Sequence, residues 1–97
     1  MKITIEELQE YLFDHYKNGG IDQSLFMKLV EEIGEVAEVL NKKAGRKSVG
    51  QEDLQTQLGN ELADVVHYTI AIAALNGIDM NDIILSKDKD ASIKYNH

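Results

Sequence analysis

The chain has 97 residues, 43% of them hydrophobic, which suits one small domain with a modest core. It contains no cysteine, which excludes a disulfide scaffold or a thiolate metal site, and no proline, which permits long unbroken helices. A net charge of −7, from 17 acids against 10 bases, disfavours long nucleic acids as partners while leaving room for a small anion whose contacts run through cations.

Thr4 followed by Glu7 reads as a capping box that opens a first helix over about 5–17, with Ile5, Leu8 and Leu12 as its apolar stripe and Tyr11 or Tyr16 at the margin. Asn18-Gly19-Gly20 ends it. Asp22 or Ser24 is expected to cap a second helix to about Lys43, in which Phe26, Leu29, Val30, Ile33, Val36, Ala37 and Leu40 recur with helical period. The segment from Gly45 to Gly50 reads as a flexible loop. A third helix is predicted from about Gln51 to Asn76, closed by Gly77. Asp79 then caps a short fourth helix through Ile83, Ile84 and Leu85, and Lys87 to His97 reads as a polar tail.

No segment sustains the two-residue alternation of a strand. The expectation is an all-α, four-helix bundle-like single domain over 1–97, completed by oligomerisation. A third helix of about 26 residues would be ~39 Å long, against a radius of gyration of ~12–13 Å for a compact domain of this size. Its apolar surface (Val65, Val66, Ile70, Ile72, Ala73 and Leu75) runs nearly all round, so a partner subunit should cover it, as a homodimer or homotetramer. The longest apolar stretch, Val65 to Leu75, is broken by His67, Tyr68 and Thr69 and is too short for a membrane span. No basic-then-apolar leader opens the sequence, and a cytoplasmic protein is expected.

Two acidic clusters, Glu31-Glu32-x-x-Glu35 and Glu61-x-x-Asp64, lie inside these apolar-periodic helices. With ~100° per residue and Glu31 at zero, Glu35 falls at ~40°, Glu38 at ~340° and Glu32 at ~100°, while the apolar residues centre at ~200°. On the third helix, with Glu61 at zero, Asp64 falls at ~300° and the apolar face at ~80°. Each helix thus carries an acid pair spaced i, i+3 at the edge of its packing face. Antiparallel packing would set Glu32 and Glu35 opposite Glu61 and Asp64, a repulsive arrangement unless a hard divalent cation lies between them. A solvated face accounts for any one of these acids alone, and Lys28 and Lys42 offer ordinary ion pairs to Glu32 and Glu38. The joint pattern points to a metal site.

The stretch Lys28 to Glu38, followed by Glu61-Leu62-Ala63-Asp64-Val65, Tyr68 and Asn76-Gly77-Ile78-Asp79, resembles the paired motifs of MazG-like nucleotide pyrophosphohydrolases, in the all-α NTP pyrophosphatase superfamily. The resemblance covers roughly residues 22–85. It implies magnesium-dependent hydrolysis of an NTP or dNTP to the monophosphate and pyrophosphate by water attack at the α-phosphorus, with manganese as a substitute metal. Carried over, Glu32, Glu35, Glu61 and Asp64 match the metal ligands, with Glu31 beside them. Glu31 or Glu35 would assist the water. House-cleaning of non-canonical nucleotides and nucleotide-pool control are both implied roles.

Further substrate-binding candidates are Lys28, Tyr68, Asn76, His15 and Lys87. Lys28 would reach a phosphate or pair with Glu32. Tyr68 faces the nucleotide or the core, and Asn76 touches ligand or ends its helix. His15 would line a base pocket with Tyr11 and Tyr16, and Lys87, Lys89, Lys94 and Tyr95 would close over phosphates, although the tail lacks the family's arginine-rich endings. A di-iron or di-manganese carboxylate bundle is a competing reading through Asp64-x-x-His67, but His67 points ~60° from Asp64 and the second histidine such a site needs is missing. A non-catalytic helical dimer, acting as adaptor or nucleotide binder, is the other alternative.

Overall fold

The computed structural model describes residues 1–19, 21–45 and 53–95, with side chains through Lys89. It consists of four helices, α1 (Ile5–Tyr16), α2 (Asp22–Lys43), α3 (Leu54–Leu75) and α4 (Met80–Tyr95), with no strand among the described residues. The expected all-α architecture is therefore present. Helix α3 is central: α2 packs along it, α1 crosses it, and α4 rests on α1.

Local chemistry sets the helix ends. Thr4 and Glu7 form the expected capping box, each side chain accepting the other's backbone N–H at 3.0 and 2.9 Å. Helix α2 departs from expectation, since neither Asp22 nor Ser24 caps it. Ile21 occupies the cap position without a side-chain bond, and Asp22 is already helical. Asp22 instead accepts both of its hydrogen bonds from Asn76 Nδ2, at 3.1 Å each, which ties the start of α2 to the end of α3.

Helix α3 is capped by Asp53, which accepts from Thr56 N at 3.0 Å and Thr56 Oγ1 at 2.6 Å. Those bonds hold the Asp53 carboxyl below its usual pKa. The 22-residue helix is ~33 Å long. At its other end Gly77 takes φ 65°, and Ile78 N and Gly77 N reach back to the carbonyls of Ala73 and Ala74 at 3.0 and 3.2 Å. Gln9 of α1 grips the turn that follows, donating to Ile78 O and accepting from Met80 N.

Asp79 caps α4 as expected, accepting from Asp82 N at 3.2 Å. The helix, however, does not stop near Leu85 but continues to Tyr95, through most of the segment read as a tail. Residues 46–50 of the predicted loop and the start at Gln51 lie outside the described residues, as do Gly20 and the side chains of Lys94 and Tyr95.

The core is small. Leu12, Leu25, Ile70 and Ala71 form its centre, with Ile5, Leu8, Tyr16, Tyr68, Ile72, Leu75 and Met80 packed against it. On α2 the buried residues are Leu25 and Val39, neither of which belonged to the predicted stripe. Phe26, Val30, Ile33 and Leu40 are instead 45–55% exposed. Measured from Glu31, the seam of Leu25, Leu29, Val36 and Val39 centres at ~125°, and the rest of the predicted stripe (Phe26, Val30, Ile33, Ala37 and Leu40) forms a second apolar face at ~220°. Tyr11, expected at the margin of α1, is 61% exposed, whereas Tyr16 is half-buried. The radius of gyration is 16.3 Å, larger than the ~12–13 Å of a compact domain of this length. No helix is long and apolar enough to cross a membrane among the described residues.

Candidate active site

Because the buried face of α2 centres at ~125°, Glu32 at ~100° lies well inside the α2–α3 seam rather than at its border. Glu61 enters the same seam from α3, and both are half-buried. Carboxylate oxygens of Glu32, Glu61 and Asp64 lie within 4.8 Å of one another. Glu32 Oε2 and Glu61 Oε2 are buried with no hydrogen-bond donor.

Burying acids together favours their protonated forms. The Glu61 carboxyl is pushed up to about 7, first by hydrogen bonding of its protonated form to Glu35, then by burial, then by Glu32. Glu32 is also raised, mainly by burial, with Glu35 and Asp64 adding to the effect and the protonated form of Glu61 offsetting part of it. Glu35, on the exposed side, therefore interacts with both half-buried acids although it falls outside the 4.8 Å set. Glu31 turns away: its Oε2 pairs with Lys28 Nζ at 3.3 Å, both side chains more than half exposed. Lys28 thus pairs with Glu31 and not with Glu32, and the pairing raises its pKa. Glu38 is exposed on α2.

The donor set fits a hard cation. Three convergent carboxylates, two of them with buried oxygens lacking a donor, offer only oxygen ligands, the preference of magnesium or manganese.

Tyr68 lies on the same face of α3 as the acids, at ~340° between Glu61 and Asp64, and is half-buried. It heads a run of rings that crosses to α1. Tyr68 is edge-on to His67 at 4.8 Å, His67 to Tyr16 at 5.7 Å and Tyr16 to His15 at 4.7 Å, and His15 lies nearly parallel to Tyr11 at 6.0 Å. The Tyr16 hydroxyl and His67 Nε2 are hydrogen-bonded at 2.7 Å. Burial lowers the His67 pKa; Asp64 opposes that shift and His15 adds to it.

Asn76 stands apart from the acids, three turns or ~18 Å beyond Asp64 along the helix, with its amide engaged by Asp22 and by Ile72 O at 2.8 Å. Lys87 and Lys89 are exposed on α4, which packs on α1. The acids and Tyr68 are thus brought to one seam, with Lys28 at its edge, while Asn76 is held elsewhere. The Tyr16–His67 bond was missed, and Tyr11, His15 and Tyr16 at helical spacing were its only sequence trace.

Four helices with paired acids across the α2–α3 seam define a class of all-α, acid-lined domains. Residues 22–90 match the MazG nucleotide pyrophosphohydrolase domain, and the chain belongs to that family. Among solved structures it is similar to the crystal structure of iMazG from Vibrio DAT 722, with a TM-score of 0.69 and 26% identity over 98% of this chain and 100% of that one. No curated protein matches the chain.

Proposed function

We propose that the protein is a magnesium-dependent hydrolase that converts a nucleoside or deoxynucleoside triphosphate to the monophosphate and pyrophosphate. The observation that carries this reading is the convergence of Glu32, Glu61 and Asp64, with two buried oxygens that no protein donor satisfies. Glu32, Glu61 and Asp64 would hold the metal, with Glu35 closing the site from its exposed side. Magnesium, when bound, supplies positive charge between carboxylates and phosphates and polarises the phosphoryl oxygens.

Glu35 is the better placed of the two candidate bases, because Glu31 is engaged by Lys28. It takes a proton from water as the water oxygen bonds to the α-phosphorus and the bond to pyrophosphate breaks. Lys28, at the rim, exchanges Glu31 for a phosphate oxygen. Tyr68, beside Asp64, flanks the nucleotide, and the His15–Tyr11 end of the ring run lies toward the base. Lys87, exposed on α4, acts from outside the seam. The protein works on nucleotide pools of the cytoplasm, where removal of non-canonical triphosphates and control of pool size both fit the reaction.

The active form is a homodimer or homotetramer. Phe26, Val30, Ile33 and Leu40 on α2 and Leu62 and Val66 on α3 are 45–55% exposed, an apolar surface suited to a second copy.

The test is pyrophosphate release from a panel of canonical and modified NTPs and dNTPs, with and without magnesium, beside Glu35→Gln. Metal-dependent release that disappears in the folded variant supports the reading. Silence across the panel from folded, magnesium-supplied protein contradicts it.

A further inference from the structure

The Tyr16–His67 hydrogen bond joins residues 51 apart in sequence and ties α1 to α3. The His67 ring is half-buried and boxed on two sides, edge-on to Tyr16 at an interplanar angle of 81° and to Tyr68 at 73°. Tyr68 also neighbours the Tyr16 phenol, whose pKa is raised by burial first and by Tyr68 next. Tyr16 and Tyr68 both pack against the core cluster, so neither ring has open space to swing into on that side.

These contacts form a chain of constraint that ends at the acids. Tyr68 is one turn, ~6 Å, past Asp64 and on the same face, whereas His67 is turned ~60° from Asp64. The ring bordering the acid seam is therefore braced by a ring turned away from it, and that second ring is fixed from α1. Edge contacts alone would allow the imidazole to rotate. A 2.7 Å bond to one named nitrogen selects a single ring orientation, and with it the edge that His67 presents to Tyr68. The same bond occupies Nε2, which removes that atom from any ligand role beside Asp64.

We propose that Tyr16 and His67 are positioning residues of the acid site: their hydrogen bond docks α1 on α3 and holds the Tyr68 ring where it contacts the bound nucleotide. The kinetic half of this rests on the hydrolase reading above; the structural half does not. Neither residue exchanges a proton with substrate in this role. They act through Tyr68.

Tyr16→Phe deletes one oxygen and keeps the ring. In nucleotide-free protein the Tyr68 ring signals, followed by carbon-edited NMR, should shift and average, while calorimetric affinity for magnesium alone stays within about twofold. With nucleotide and magnesium, KM should rise about tenfold, the scale of one hydrogen bond, and kcat should change by less than about twofold. His67→Leu should reproduce the KM effect, and the double variant should be no worse than either single one. Unchanged Tyr68 signals, an unchanged KM or additive losses would each overturn the proposal. A wild-type protein that turns over no nucleotide overturns the hydrolase reading and the kinetic role with it, and is told apart from failure of the brace because the Tyr68 signals are read without nucleotide.

Discussion

Glu32 and Glu61 meet across the α2–α3 seam with one oxygen of each buried and without a donor. Among the described residues no hydrogen-bond donor reaches either oxygen, and Lys28 is engaged by Glu31. The seam is thus held together by apolar packing on either side of a repulsive centre, an arrangement that a bound cation would relieve.

That repulsion predicts an unusual pH response. The folded-state carboxyl of Glu61 titrates at about 7, above its ordinary 4.5. A raised acid contributes stability below its unfolded pKa and loses it as pH climbs through the folded value. Metal-free protein should therefore lose melting temperature between about pH 5 and about pH 8, and saturating magnesium should reverse most of the loss. Thermal scans by circular dichroism check this; a metal-free melting temperature that rises across that interval would contradict it.

Glu61→Gln separates stability from function. Removing one charge from the seam should raise the metal-free melting temperature by several degrees at neutral pH, abolish its dependence on magnesium and eliminate turnover. A variant that melts lower than wild type without metal would show that the acids are not in conflict.

Asn76→Ala tests the assignment of that side chain to the α2–α3 tie. Its amide bonds to Asp22 and Ile72 at 2.8–3.1 Å are lost in the variant, at a cost of about 1 kcal/mol measured by urea unfolding. Magnesium affinity and KM should stay at wild-type values. A KM several times higher would return Asn76 to the substrate contacts.

The exposed second face of α2 makes its own prediction. Ile33, 53% exposed, sits between Val30 and Leu40 in that patch. Ile33→Asp should leave the far-ultraviolet spectrum helical and shift the mass by light scattering to that of a smaller species. A wild-type monomer at micromolar concentration would remove the patch from any self-association.

Much of this molecule can be read from residue spacing. The Thr4–Glu7 box, the Gly77 stop and the all-α architecture follow from local signals, and the meeting of Glu32 with Glu61 and Asp64 follows from their i, i+3 spacing once α2 and α3 pair. The buried face of α2 was misplaced because that helix is apolar over two faces, and hydropathy does not distinguish the face that meets α3 from the one at the surface. Leu25 and Val39 consequently went unnoticed while Phe26 and Ile33 were favoured. Helix α4 was cut short because residues 86–95 carry no apolar stripe, although Asp79 starts the helix and no glycine or proline interrupts it. Asp22 looked like a cap and is a tertiary acceptor, and the Tyr16–His67 bond depends on how α1 crosses α3; neither relation has a local signature.

The central claim is hydrolysis at the α-phosphorus, and the most direct measurement is turnover in ¹⁸O-labelled water with magnesium present, with products resolved by mass spectrometry. The expected result is label in the nucleoside monophosphate and none in pyrophosphate, with both products absent in Glu35→Gln. Label in pyrophosphate, release of orthophosphate with a diphosphate, or no reaction from folded protein would contradict it.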